Sequence, residues 1–194
     1  MDRGRFSSVI STLSAAIFST NPAISGDFQS ISTVTVGSGG SSTVSFSSIP
    51  STYKHLQLRM TVRTTAGGST DFPYARFNGD SGGNYAWHTL TGNGSSVSAG
   101  AATGNTYSIL ERCTASGGAA NVFGTIIVDI LDYANTNKYK TIRSLGGVDQ
   151  NSSGQINLQS NLWLNTSAIS SITIGSSTSV GLAQYSSFAL YGVN

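Results

Sequence analysis

The chain of 194 residues has few of the side chains that most often carry chemistry. It contains two histidines, one cysteine and three prolines, and only 9% of its residues are charged. Catalysis and metal binding usually draw on His, Cys, Asp, Glu and Lys. This scarcity argues against an enzyme and against a bound cofactor or metal ion, and it favours a structural or binding protein.

Charge and cysteine content narrow the classes further. The lone Cys113 cannot form a disulfide within the chain, and we expect it to be a small buried apolar residue. The few Lys and Arg residues are scattered, whereas a nucleic-acid-binding protein concentrates them on one face. No stretch reaches the ~18 apolar residues of a membrane span. We expect neither nucleic acid nor membrane as a partner, and a net charge of only +2 favours association with other proteins.

Ser, Thr, Gly, Ala and Asn dominate instead, and apolar residues recur among them at every second position. Such alternation is typical of β-strands, and it is clearest over 53–64, 122–130 and 156–164. Both faces of 122–130 are apolar, which predicts a central, covered strand. The pattern in 156–164 predicts one inward set and one outward set, respectively Ile156, Leu158, Leu162 and Leu164, and Asn157, Gln159, Asn161 and Trp163.

Turn signals rich in Gly, Asn and Ser separate about ten expected strands, and no pattern after residue 26 sustains a helix. Weaker alternation predicts the remaining strands over 30–36, 43–48, 74–78, 84–91, 106–112, 139–145, 169–174 and 184–193. The polar stretch 91–105 is expected to be a surface loop. The predicted fold is an all-β, antiparallel, jelly-roll-like β-sandwich over 27–194.

Residues 1–26 are predicted to form a separate N-terminal anchoring arm. Val9, Leu13, Ala16 and Ile17 fall at helical spacing, so we expect a short helix within the arm that ends at Asn21-Pro22. Its apolar residues are too few to fold alone, and we expect them to bind a partner surface. These anchor residues are Phe6, Val9, Ile10, Leu13, Ile17 and Phe18.

One string resembles a catalytic motif. Residues 79–83 spell GDSGG, the nucleophile motif of chymotrypsin-like serine proteases. That family needs an upstream histidine and aspartate on two barrels, and too little chain precedes Ser81 to build the first barrel. We therefore interpret 79–83 as a hairpin turn.

The remaining polar candidates favour structural interpretations. His88 lacks companions for a zinc site, and Asp129 with Asp132 fits a strand face and its following turn better than a glycosidase pair. Asp71 and Asp80 lie in Gly-rich loops without the spacing of a calcium loop. Aromatic residues beside Asn, Ser and Thr suit a recognition surface. The candidates for surface recognition are Tyr85, Trp87 and Tyr107.

Three segments resemble a group of small tailed-phage virion proteins. They are VTVGSGGSSTVSFSSIPSTYKHLQLRMTVRTT at 34–65, RFNGD at 76–80 and QYSSFALYGV at 184–193. The resemblance runs from about residue 28 to the C-terminus. It implies a β-sandwich used on phage particles, as a head decoration or in tail fibres, and it carries no catalytic residues.

The leading hypothesis is a capsid decoration (cement) protein in the virion, assembled in the host cytoplasm. It predicts a homotrimer that binds the major capsid protein or another virion protein through the arm. The alternative hypothesis is a tail-fibre or adhesin module that binds host-surface glycans through loops at 66–73, 91–105 and 115–121. A polysaccharide hydrolase that depends on Asp129 is the third hypothesis.

Overall fold

The structure, a computed structural model, describes residues 27–194. Within that range the chain contains fourteen strands and no helix. The strands are β1 (Phe28–Thr35), β2 (Thr43–Phe46), β3 (His55–Val62), β4 (Thr70–Asp71), β5 (Pro73–Phe77), β6 (Tyr85–Gly92), β7 (Val97–Asn105), β8 (Ser108–Ile109), β9 (Cys113–Thr114), β10 (Gly124–Ile130), β11 (Lys140–Asp149), β12 (Gly154–Trp163), β13 (Ile172–Ser176) and β14 (Ser187–Val193).

Two antiparallel sheets form a sandwich, which confirms the predicted fold class. The large sheet has eight strands in the order β1-β14-β3-β10-β11-β12-β6-β7, and the small sheet has four in the order β2-β13-β5-β8. A two-stranded ribbon of β4 and β9 lies beside them. The chain crosses repeatedly from one sheet to the other, as in a jelly roll.

The core lies between the two sheets and follows from the alternation in the strands. On β3, Leu56, Leu58 and Val62 are fully buried, while Arg59 and Thr61 on the other face are exposed, which agrees with the alternation over 53–64. Strand β3 therefore contributes one apolar face to the core and one face to solvent. Cys113 on β9 is also buried, as expected, and burial raises the pKa of its thiol to about 12.

Strand β12 is inverted relative to the prediction. Asn157, Gln159 and Asn161 point into the sandwich, whereas Ile156 and Leu158 point outward. Trp163, also predicted to face outward, is fully buried, and Leu164 is exposed. The inversion follows from Trp163, whose ring packs against Phe77 and Tyr85 at the end of the sandwich and fixes the strand's facing.

Two other expectations are corrected. Most of the stretch predicted as a loop over 91–105 is β7, the edge strand of the large sheet. Strand β10 is central, as predicted. Its outward face is uncovered in the described structure, as the 43% exposure of Ile127 shows. The predicted helical arm and all of its anchor residues lie outside the described residues.

Candidate functional site

The outer face of the large sheet carries a continuous row of exposed apolar side chains. They belong to five neighbouring strands, and their exposed fractions run from 43% to 72%. We call this row the apolar band; its members are Leu90, Val97, Ile127, Leu145, Ile156 and Leu158. Six large apolar side chains, each more than two-fifths exposed, thus lie on one face of one sheet, and a contiguous apolar patch on a monomer is often functional.

Strand register makes the band continuous. Ile127 pairs with Leu145, Leu145 with Leu158, and Leu158 with Leu90, so four large apolar side chains cross the sheet side by side. Ile156 and Val97 flank this row on either side of Gly92. Directly opposed residues lie ~5 Å apart, which places their side chains in contact.

An open depression of about 1280 Å³ lies over one end of the band. Its floor includes Ile127, Leu145 and Ile156, and the hairpin loops at 92–94 and 151–153 form part of its wall. Gly147 lies in this floor, and a Cβ there would come within 2.4 Å of the Gln155 carbonyl oxygen, so a larger residue would displace the paired backbone. The floor is apolar, and the wall contains Ser and Asn residues together with the charged Arg59 and Asp149.

The polar side of the face is occupied by its own hydrogen bonds. Gln57 Nε2 donates to Asp129 Oδ1 at 2.8 Å, and Arg59 Nε donates to Gln57 Oε1 at 2.8 Å. The Arg59 guanidinium also lies 4.8 Å from the centre of the Phe28 ring and 5.3 Å from that of Tyr191. Asp129 is thus held in a structural network at the edge of the band.

The three predicted recognition residues do not share one surface. Tyr85 is fully buried, so its prediction as a surface residue is wrong; its hydroxyl accepts from the Phe77 amide and donates to the Asp80 carbonyl. Trp87 is half-buried on the inward side of β6. Tyr107 stacks on Tyr74 with ring centres 4.7 Å apart, on the outer side of the small sheet.

The GDSGG segment is a turn, as the sequence analysis concluded. Asn78 and Gly79 have positive φ angles, and the Asp80 amide donates to the Phe77 carbonyl. Asp80 Oδ2 accepts from the Trp163 indole at 2.7 Å, and Asn84 donates to both carboxylate oxygens. Burial alone would raise the pKa of Asp80, but these hydrogen bonds lower it overall. The carboxylate therefore pins the turn to the end of β12.

The other acidic candidates also have structural partners. Asp71 is buried and accepts from the hydroxyls of Ser176 and Thr178. Asp132 pairs with Lys138, and its amide donates to His55 Nδ1. No group of three or more His, Cys, Asp or Glu residues suited to a metal ion occurs in residues 27–194. None of the described residues belongs to a helix long and apolar enough to cross a membrane.

A buried polar layer lies beneath β11 and β12 and was not predicted. Ser144 Oγ donates to Glu111 Oε1 at 2.6 Å, while Gln159 Nε2 donates to the Ile109 carbonyl and to Asn161. Glu111 is 1% exposed, and this burial raises the pKa of its carboxyl to about 7 despite the Ser144 bond. Because Ile156 and Leu158 face outward, the inward face of β12 is polar, and its Asn and Gln side chains form this layer inside the sandwich.

Comparisons with known proteins give only distant likenesses. No family model and no curated protein matches the chain. Among solved structures it is similar to galectin LEC-6 of Caenorhabditis elegans, at 9% identity and a TM-score of 0.36, over 81% of this chain and 94% of that one. Scytalido-glutamic peptidase follows at 11% identity and a TM-score of 0.23, over 83% and 66% of the two chains.

A further likeness is to SCLam, a non-specific endo-β-1,3(4)-glucanase of family GH16, at 10% identity and a TM-score of 0.23, over 78% and 60% of the two chains. At these identities and TM-scores no binding or catalytic residue is carried over from any of the three structures.

The apolar band is the feature that sequence reasoning missed. Its members come from five strands, and all of them except Ile127 alternate with polar or small neighbours in their own strand. The one available signal was that 122–130 is apolar on both faces, which marked Ile127 but was interpreted as a covered strand. The band becomes visible only when the strand order is known.

Proposed function

We propose that this chain is a structural protein of a tailed-phage virion, a capsid decoration protein that binds its neighbours through the outer face of the large sheet. The apolar band carries this proposal, since the largest exposed apolar patch on a protein is often a functional surface. The resemblance of 34–65, 76–80 and 184–193 to phage virion proteins is the reason for proposing a tailed-phage particle as the assembly. The N-terminal arm would add a second, apolar attachment to the major capsid protein.

The composition of the band suits a long-lived contact with a neighbouring protein. Its centre carries no charge. Of the charged groups beside it, Arg59 and Asp129 are held in the network with Gln57, and Arg143 lies opposite Asp129 on β11. Burial of apolar surface stabilises such a contact by about 25 cal/mol per Å², and it requires no specific ion pairs. Repetition of the contact over a particle would add avidity to a modest single affinity.

A decoration assay tests the proposal. Particles of the phage that encodes this chain are prepared without it, mixed with the full-length protein, and the bound copies are counted. Leu158→Asp puts a charge in the middle of the band and should lower apparent affinity at least ~10-fold. Ser160→Asp, two residues along the same outward face but outside the band, should bind as the unmodified chain does. Equal binding by both variants would contradict the proposal.

The arm is tested in the same assay. Removing residues 1–24 should lower occupancy while the sandwich, described from residue 27 onward, keeps its circular dichroism spectrum. Unchanged occupancy would remove the arm from the proposal. The predicted homotrimer stays a prediction, and the mass of the protein in solution measures it.

The adhesin alternative stays a prediction. A glycan array with the full-length protein measures it, and Trp87→Ala, which removes a half-buried indole, should abolish any binding while the fold stays intact. Because Tyr85 is buried and Tyr107 lies on the other sheet, the three aromatic residues supply no common sugar platform.

A further inference from the structure

Strand β7 forms a long edge of the large sheet. Among the strands of residues 27–194 it pairs with β6 alone, so every second backbone N–H and C=O along Val97–Asn105 faces away from the sheet. Most of its residues are exposed. Such an edge is a template for one more strand.

The edge lacks the features that usually prevent pairing. Its sequence, VSAGAATGN, contains no charged residue and no proline, and its register shift lies only at the end next to Trp87. The edges of the small sheet are short, four residues in β2 and two in β8. The opposite edge of the large sheet, β1, has an irregularity between Ser30 and Ser32 in its middle. Strand β7 is thus the long, unbroken edge of the described structure.

We propose that β7 pairs antiparallel with β7 of a second copy of this chain about a two-fold axis, joining two large sheets into one. The unpaired backbone groups specify an extended strand as the occupant. A strand that meets its own copy about a two-fold axis runs antiparallel to it, as all neighbours in this sheet do. Ala, Gly, Ser and Thr side chains leave the two backbones free to approach.

The uncharged edge supports a second copy over a charged strand. With Ala101 near the two-fold axis, Val97 of one copy lies opposite Asn105 of the other. Every side chain of the two opposed strands is uncharged, so no like charges meet in the pair. A strand pair alone is smaller than the ~800 Å² per partner of a standard interface, so we expect a dimer that dissociates at micromolar concentration.

Charge substitutions in the full-length chain test the pairing by sedimentation velocity. Ala101 is the central residue of β7 and is exposed, so Ala101→Lys places two like charges near the axis. We expect a dimer for the unmodified chain and at least ~10-fold weaker association for Ala101→Lys and for Ala101→Asp. An equal mixture of the two variants should associate again, because Lys then faces Asp. Thr33→Lys on the opposite edge should leave the dimer unchanged.

Several outcomes would overturn the proposal. One is a monomer at the highest soluble concentration; another is a dimer that ignores Ala101→Lys. A mass of three copies would support the predicted homotrimer instead. A monomer whose β7 amides are nonetheless slow in hydrogen exchange would assign the edge to residues 1–26 of its own chain. Loss of the dimer in Ala101→Lys with decoration intact would separate this pairing from the proposed virion function.

Discussion

Glu111 shows how a single carboxyl can tie the stability of this sandwich to pH. Its pKa is about 7 in the folded protein because it is buried, against 4.5 for an ordinary glutamate. Below pH ~4.5 both the folded and unfolded chains hold the proton. Between that value and about 7 the unfolded chain releases it while the folded chain keeps it, so the free energy of unfolding falls as pH rises.

We therefore predict that Glu111→Gln stabilises the protein above pH 7, by up to about 3 kcal/mol, and flattens its dependence on pH. Glutamine keeps an oxygen that can accept from Ser144 but carries no charge to bury. Urea unfolding from pH 5 to pH 8 measures this. Asp149→Asn, at an exposed position, serves as the control and should keep the slope of the unmodified chain. Parallel curves for Glu111→Gln and the unmodified protein would refute the prediction.

The Trp163 indole is the second residue whose loss should be costly. It donates to Asp80 at 2.7 Å and is fully buried against Phe77 and Tyr85. Trp163→Phe keeps an aromatic ring but leaves the carboxylate short of a donor, so we predict a loss of ~1–3 kcal/mol in the free energy of unfolding. Trp87→Phe, at a half-buried tryptophan of β6, should cost less. Chemical denaturation followed by circular dichroism measures both variants.

At the scale of the strand, alanine substitutions at two leucines test which face of the large sheet contributes to the core. Leu58 on β3 is fully buried, whereas Leu158 on β12 is 49% exposed in the apolar band. We predict that Leu58→Ala lowers the free energy of unfolding by ~2–5 kcal/mol and Leu158→Ala by less than ~1 kcal/mol. Equal losses at the two positions would mean that β12 faces the way its alternation suggested.

The contrast between β3 and β12 explains what the sequence could predict. In β3 the outward residues, such as Arg59, are poor core residues, so the alternation alone decides which face is buried. In β12 the choice was between Leu158 and Trp163, both of which suit a core. Contacts with distant residues decide it, since Trp163 needs Asp80 and Gln159 needs the Ile109 carbonyl. Local pattern contains no information about those partners.

Strand β7 was missed for a different reason. Its Ala, Gly and Ser residues have neither β-branched side chains nor alternation, so they resemble a loop. They form a strand because β6 offers its edge to them from Gly92 to Trp87. The candidate interface depends on this, because the apolar band and the open edge exist only once β12, β6 and β7 are aligned.

At the scale of the whole molecule, association should be driven by apolar burial and backbone pairing rather than by charge. The net charge is only +2, and both the apolar band and β7 are free of charged residues. Sodium chloride screens charges and should therefore change the dissociation constant of the self-associated protein by less than ~2-fold between low and high salt. Ammonium sulfate strengthens apolar burial and should tighten association at equal ionic strength.

Sedimentation at matched ionic strength in the two salts separates the contributions. The variant Val97→Ser provides the control, because it removes the large apolar side chain of β7 and should reduce the response to ammonium sulfate. A dissociation constant that rises steeply with sodium chloride would instead assign the contact to charged groups such as Arg59 and Arg143 on the same face. Strand β7 would then lie beside the self-association interface and would not form it.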